Sequence, residues 1–503
     1  MAKSPKCINF VEKSKNMLML HEDTFPYGKK RFVGRNLEQY LLNECMYSEQ
    51  SEFVAVYGRR RVGKTFLIRY VLERHFSFYA TGLPGGSYRE QINNFCMAIV
   101  QGFNVDYKEC ENWMEVMRYL ADTISNDVNY KLRKKVLFID EMPWMDTPKS
   151  DFLMAIEWFW NAYASARTDI FLIVCGSATT WITSNILRNR GGLYGRLTNQ
   201  IYLEPFTLSE CAEFYDLKQI SMSREEQLQA YMIFGGVPYY LQYLRKDLSV
   251  AQNVDLMCFA KKGILSKEYD NLYRSMFKNY TSHIKVVEAL ATKSMGMTKK
   301  DLCEKTGLPE SGSTTTVLQE LVDCGILNEY NQVGKKAKGK MYQLVDFFTL
   351  FYLRFVKKNQ GEENFWTKNL NTPTVNTWEG YAFEQVCFAH LRQIKKALGI
   401  AGISTKVSSW KSSDKENGAQ IDMVIERSDK VINICEIKYA GSQYTITSDY
   451  ANKLRNKLVS FKEETKTKSA LHLTMITTYG LKKNSENSSM AQSEVTSDCL
   501  FKE

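Results

Sequence analysis

The chain has no apolar run approaching the roughly 18 residues that a membrane span requires. Its opening, MAKSPKCINFVEKSKNMLML, carries lysines but no apolar segment leading to a small-residue cleavage site. Neither a transmembrane helix nor a secretory signal is expected, so the expected location is the cytoplasm, with no membrane partner. There is no internal repeat, and the one low-complexity stretch is the polar KKNSENSSMAQSE near the end. The 12 cysteines form no CxxC and no Cys/His cluster with zinc-ligand spacing. A zinc site is therefore not expected, and most thiols should be reduced, buried residues. With 44% hydrophobic and 24% charged residues over 503 positions, the composition rules out a disordered or collagen-like chain and predicts about three domains. The net charge of +10 is modest at this length, but its sign suits a polyanionic partner.

Residues 1–31 are polar, lysine-rich and without periodicity, as in an N-terminal extension. From Phe32 the pattern changes. FVAVYGRRRVGKTFLIRYVLERH reads as strand, loop and helix; further apolar runs begin at Lys135 and Asp169, with the amphipathic DFLMAIEWFWNAYA between them. Strands alternating with helices predict a parallel sheet covered on both faces over residues 32–206. Helices then dominate residues 207–280 as a lid broken by GGVP at Gly235. Residues 281–346 predict a winged helix, residues 347–377 linker helices, and residues 378–503 a further α/β domain.

Gly58-Arg59-Arg60-Arg61-Val62-Gly63-Lys64-Thr65 fits GxxxxGK[ST] at each fixed position, between a predicted strand and a predicted helix. Such a loop turns backbone N–H groups of about residues 59–65 toward phosphate oxygens, and the helix N-terminus adds partial positive charge. Lys64 would bridge the outer phosphates of ATP, and Thr65 would hold Mg²⁺. The second apolar run leads into Asp140 and Glu141, a Walker B pair in which Asp140 would serve the metal and Glu141 the attacking water. Ser177 closes the third run and could act as a sensor bonded to water or γ-phosphate, or cap a helix. Arg196, in GGLYGRL, could reach a γ-phosphate in its own or a neighbouring subunit, which would imply a homo-oligomer; a surface salt bridge is the alternative.

FVGR at Phe32 with Glu38, GRRRVGKT, FIDEMPW, GSATTW, LYGR followed by LEPF, and GGVPYYL together resemble the prokaryotic AAA-type ATPases of the archaeal ATPase family, over roughly residues 30–360. These are related to the STAND signal-transduction NTPases. The resemblance implies that a lid segment, here Gly236 and Pro238, approaches the nucleotide. It also implies a nucleotide-driven switch that holds ATP more than it turns it over.

TKKDLCEKTGLPESGSTTTVLQELVDCGILNEY supplies a helix, a Gly-containing turn and a second helix, followed by a lysine-rich hairpin. Lys335, Lys336, Lys338 and Lys340 on this wing could neutralise phosphates, and hydroxyl groups of the second helix could meet phosphates or base edges. DNA is the expected nucleic acid; a plain protein-contact module is the alternative.

In ICEIKYA, Glu436 and Lys438 are two apart on a strand and share a face. Asp422 lies fourteen residues upstream, where a paired strand could bring it beside Glu436, and Glu384 sits on a preceding helix. Two carboxylates on adjoining strands suit Mg²⁺, Lys438 could orient water, and Glu384 could complete the shell. Glu, Asp and Glu-x-Lys on a helix followed by strands resemble the PD-(D/E)xK restriction-endonuclease-like phosphodiesterases. The expected fold is thus α/β: a P-loop AAA-type parallel sheet with helical lid, a winged helix, and a C-terminal restriction-endonuclease-like domain. Its expected work is an ATPase switch with a nuclease, as in defence against foreign nucleic acid, or a regulatory switch that cuts nothing.

Overall fold

The computed structural model describes residues 32–127, 134–177, 179–188, 191–193, 195–277, 279–331, 340–412, 418–483 and 490–502. The expected extension (residues 1–31) and three of the wing lysines, Lys335, Lys336 and Lys338, lie outside the described residues. The chain divides into two compact units, one ending at Glu204 and one beginning at Pro205.

In the first unit, five strands form a parallel sheet: β1 (Glu52–Tyr57), β2 (Phe76–Thr81), β3 (Lys135–Asp140), β4 (Ile170–Cys175) and β5 (Asn199–Tyr202), in the order β2-β3-β4-β1-β5. The interior strand β1 is apolar on both faces because both are covered. Phe53 and Ala55 pack into the layer that holds Phe95 and Trp113, while Val54 and Val56 pack with Leu67 and Ile68. Helix α1 (Asn36–Tyr47) precedes β1 and α2 (Lys64–Leu72) follows it; α3 (Tyr88–Phe103) and α4 (Trp113–Asn126) separate β2 from β3. Strand β2 escaped the sequence reading. As an edge strand it buries Phe78 and Ala80 while Ser77 and Tyr79 are half-buried, so it shows no continuous apolar run.

The sequence places the next boundary at residue 206 and separates lid, winged helix and tail; the structure breaks the chain at residue 204 and joins all three in the second unit. Its leading helices α5 (Leu208–Leu217) and α6 (Arg224–Phe234) each open with a capping box, Thr207 with Glu210 and Ser223 with Glu226. Helix α6 ends at Gly235, and Gly236 follows, both with positive φ. A Cβ on Gly236 would lie 2.1 Å from the Phe206 carbonyl oxygen, which accounts for glycine there. Lid and tail meet at His390, fully buried, whose Nε2 accepts the Leu208 N–H at 2.9 Å. Burial holds the imidazole down at about 4, so it stays neutral and able to accept.

Helices α7 (Tyr280–Leu290), α8 (Lys299–Thr306) and α9 (Gly312–Asp323) pack with a small antiparallel sheet of β6 (Met297–Thr298), β7 (Leu327–Asn331) and β8 (Lys340–Leu344), in the order β6-β8-β7. The tail begins with α10 (Pro373–Ala389), which takes Pro373 in its first turn behind the Thr372 cap. Strands β9 (Thr405–Lys411), β10 (Gln420–Arg427), β11 (Val431–Lys438), β12 (Ala470–Thr477) and β13 (Ser493–Thr496) form a mixed sheet, with α11 (Ser448–Thr465) crossing between β11 and β12. Pairs β9–β10 and β10–β11 are antiparallel; β11–β12 and β12–β13 are parallel.

Candidate functional site

The C-terminal ends of β1, β3 and β4 bring Gly58, Asp140 and Ser177 to one edge of the sheet. The loop between β1 and α2 curls through three residues of positive φ, Gly58 (135°), Arg61 (73°) and Gly63 (93°). At Gly58 a Cβ would stand 2.4 Å from the Leu203 carbonyl oxygen, so only glycine fits. Lys64, at the start of α2, is buried and its Nζ donates to the carbonyls of Gly58 (2.9 Å) and Arg59 (3.0 Å). Thr65 Oγ1 donates to Asp140 Oδ2 at 2.9 Å, and the other Asp140 oxygen accepts the Glu141 N–H. Burial raises the Asp140 carboxyl above its ordinary range, and the Thr65 hydrogen bond only partly offsets this. Hydroxyl and carboxylate side by side form a hard-oxygen pair that suits Mg²⁺.

Glu141 has φ 45° and ψ 40°, a left-handed conformation that is costly for a residue with a Cβ and is held by its surroundings. Its carbonyl accepts the Trp144 N–H. Its Oε2 accepts both the Ser177 hydroxyl (2.9 Å) and the Ser177 N–H (3.1 Å). The sequence aims Ser177 at water or phosphate; the structure instead commits its hydroxyl to Glu141.

In the tail, Met423 pairs with Cys435, so Asp422 falls opposite Glu436 and their side chains share a face. The Ile437 N–H donates to Asp422 Oδ2 at 2.9 Å. Glu436 is buried, with Lys438 Nζ on Oε1 (2.9 Å), Lys457 Nζ on Oε2 (2.7 Å) and the Tyr450 hydroxyl also on Oε1. Burial alone would push Glu436 up, but Lys438 and Lys457 outweigh it and hold the carboxyl below its ordinary range. Asp422 is raised by burial and by the Glu436 charge; Glu384, on α10, is raised by burial and by Asp422. Lys438 is raised because Glu436 and Asp422 overcome its desolvation. The structure thus brings Asp422, Glu436 and Lys438 together as expected, with Glu384 near enough to feel Asp422. It does not form the expected three-carboxylate metal shell: among the described residues no group of three or more His, Cys, Asp or Glu is arranged to hold a metal. The physical reason is that the Glu436 oxygens already receive two ammonium groups and a phenol.

Near the small sheet, α9 exposes Ser313, Thr315 and Thr316 but buries Thr314, whose hydroxyl bonds the Pro309 carbonyl. Lys340 is not a free wing cation: its Nζ donates to Glu329 Oε2 at 2.9 Å. Both groups are about a third or more exposed, so this pair is worth at most ~1 kcal/mol and a phosphate could compete for the lysine.

Residues 32–244 match a family described as an ATPase domain predominantly from Archaea. The chain carries a P-loop ATPase domain. The match begins at the FVGR segment and runs through α6 and the GGVP turn. Residues 351–451 match a second family, described as Archaea bacterial proteins of unknown function, which takes in Glu384, Asp422, Glu436 and Lys438. An uncharacterized protein of Methanocaldococcus jannaschii is 25% identical over 415 residues, covering 81% of this chain and 87% of that one. Among solved structures, the Walker-type ATPase of Pyrococcus abyssi aligns at 18% identity and TM-score 0.47, over 66% of this chain and 99% of that one. The ORC2 protein of Aeropyrum pernix, solved in ADPNP and ADP complexes, aligns at 11% identity and TM-score 0.40, over 66% and 95%.

Arg196 lies away from the residues just described. Arg196 precedes β5, whose first residue Asn199 pairs with Val54, and the Thr198 N–H bonds the Phe53 carbonyl. This puts Arg196 at the N-terminal edge of the sheet. At ~3.3 Å per residue the length of β1, roughly 16 Å, separates that edge from Gly58. The sequence reading also missed Lys457 and Tyr450. They are seven apart on α11 and so lie on one face of the helix, a spacing that was available as a signal. No helix among the described residues is long and apolar enough to cross a membrane.

Proposed function

We propose that this chain is an ATP-driven switch of AAA/STAND type whose nucleotide state governs a DNA-binding winged helix and a metal-dependent phosphodiesterase in the tail. Binding of ATP would draw Lys64 from the Gly58 and Arg59 carbonyls onto phosphate oxygens, an exchange of one set of acceptors for another. Thr65 and Asp140 would hold Mg²⁺, which when bound screens phosphate charge. Glu141, fixed by Ser177, would orient and deprotonate the attacking water. Pro238, in the lid turn, would sense the nucleotide. Arg196, exposed and away from its own loop, would act on a neighbouring subunit in a homo-oligomer.

The helix order α7-α8-α9 with sheet order β6-β8-β7 supports the winged-helix reading. The lysine-rich loop between β7 and β8 would then lie on DNA. For the tail, the carrying observation is the register that sets Asp422 opposite Glu436 with Lys438 on the same face. Asp422 and Glu436 would hold the divalent ion. The test is to incubate the full-length protein with plasmid DNA and Mn²⁺ or Mg²⁺, with and without ATP. Cleavage that disappears in Asp422→Ala, with ATP binding intact, is expected.

A second reading, a regulatory switch that binds DNA and cuts nothing, is favoured by the three donors already seated on Glu436. Absence of cleavage under every condition, with DNA binding retained, would select it.

A further inference from the structure

The second unit contains a cavity of about 550 Å³, within the roughly 300–1,000 Å³ range of small-molecule sites. Its walls come from α6, from the Phe365–Asn369 helix, from the start of α10 and from the residues that follow β11. Trp366 and Trp378, whose rings meet edge to face at 5.7 Å, form the apolar side together with Tyr439. The polar side holds three carboxyl groups, Glu225, Glu226 and Glu379, and among the described residues no lysine, arginine or histidine lines the cavity. Two of the three acids are already engaged: Glu226 closes the capping box with Ser223, and Glu225 accepts the Tyr479 hydroxyl at 2.7 Å. Glu379 has no ion pair among the described residues. Burial, and next the charge of Glu225, push its carboxyl up to about 7, as happens where a carboxylate lacks a compensating positive charge.

We propose that this cavity binds a small organic cation with an apolar body, an amine or quaternary ammonium compound. Its charge meets Glu379 and Glu225, and its carbon frame lies against the tryptophans. Aromatic walls beside carboxylates are the chemistry by which proteins recognise such cations, and the lining would repel an anion such as a nucleotide. The site is distinct from the phosphate loop and does not depend on the tail being a nuclease. It does border the tail's acids: Tyr439 directly follows Lys438, and Glu379 and Glu384 share α10.

Isothermal titration calorimetry of the full chain with benzylammonium, benzyl alcohol and benzoate separates charge from shape, since the three share a ring. Benzylammonium should bind one to one, with the neutral and anionic probes at least roughly tenfold weaker. Glu379→Gln, near-isosteric and removing a poorly compensated charge, should keep the fold by circular dichroism and weaken the cation roughly tenfold. Ala251→Trp, which fills the cavity from another wall without touching a carboxyl group, should abolish binding. The groups facing Glu379 are Glu225 and Glu226 from α6 and Tyr439 beyond β11, so affinity should rise as pH passes upward through about 7. The proposal is overturned by equal affinity for benzyl alcohol, by no binding of benzylammonium, or by binding that survives Ala251→Trp.

Discussion

Removing the Ser177 hydroxyl tests whether this residue acts on the reaction directly or through Glu141. In the structure both donors of Ser177 converge on one oxygen, Glu141 Oε2, the hydroxyl at 2.9 Å and the N–H at 3.1 Å. Ser177→Ala deletes the first and spares the second. A hydrogen bond to a charged acceptor contributes about 1.5–3 kcal/mol. If that restraint holds the carboxylate toward water, its loss should lower kcat by roughly ten- to a hundredfold. Glu141→Gln removes the base itself and should cost roughly 10²–10⁴. The KM for ATP should change little in either variant, because neither residue belongs to the phosphate loop. Steady-state phosphate release from the two single variants and the double variant completes a thermodynamic cycle. A double variant no slower than Glu141→Gln alone means that Ser177 works through Glu141. Multiplicative losses would refute this and return Ser177 to the direct sensor role.

Lys64→Ala should abolish ATP binding, measured with a fluorescent analogue, while leaving the circular dichroism spectrum unchanged; retained affinity would contradict the phosphate-binding role. Replacing Lys335, Lys336, Lys338 and Lys340 together by Ala should weaken DNA binding and flatten its salt dependence by about 0.9 log units for each phosphate no longer neutralised; an unchanged slope would mean that the wing does not touch phosphate. Lys457→Met should destabilise the protein by about 1.5–3 kcal/mol in urea unfolding, since Glu436 would keep only Lys438 and Tyr450; an unchanged midpoint would show the ion pair to be idle. Glu379, with its folded-state carboxyl raised to about 7, holds a proton between about 4.5 and 7 that the unfolded chain has already released. Its contribution to stability therefore falls as pH rises through that window. Glu379→Gln should raise the melting temperature at pH 8 and leave it unchanged at pH 4.5; equal shifts at both would refute the assignment.

What could be read from the sequence follows from where each strand lies in its sheet. Strands β1, β3 and β4 are covered on both faces and write themselves as continuous apolar runs. The strands that were missed, β2, β6, β9 and β13, all lie on sheet edges, where half-buried residues or short length leave no apolar run. The Asp422–Glu436–Lys438 grouping was legible because strand alternation alone sets the face and antiparallel pairing sets the neighbour. Lys457 was not, because its partner is 21 residues away and its helix looks like an ordinary charged surface helix. The place of Arg196 was not legible for a related reason. Its position in a loop beside a parallel strand says nothing of which sheet edge it occupies until the register of β5 against β1 is known.

The two glutamates at the centres of these sites are held in opposite ways, with chemical consequences. Glu141 is fixed by neutral donors, the hydroxyl and backbone N–H of Ser177, both on Oε2. Glu436 is fixed by two ammonium groups and a phenol, which neutralise it and keep it from taking up a proton. Glu436 has both oxygens engaged, while Lys438 and Lys457 each spend one of three ammonium N–H donors on it. A phosphodiester arriving at the tail would offer both lysines a competing anion and free the Glu436 oxygens in the same step. Lys64 of the phosphate loop and the tail lysines Lys438 and Lys457 thus share one property: each is held on a protein oxygen that an incoming phosphate oxygen would have to replace.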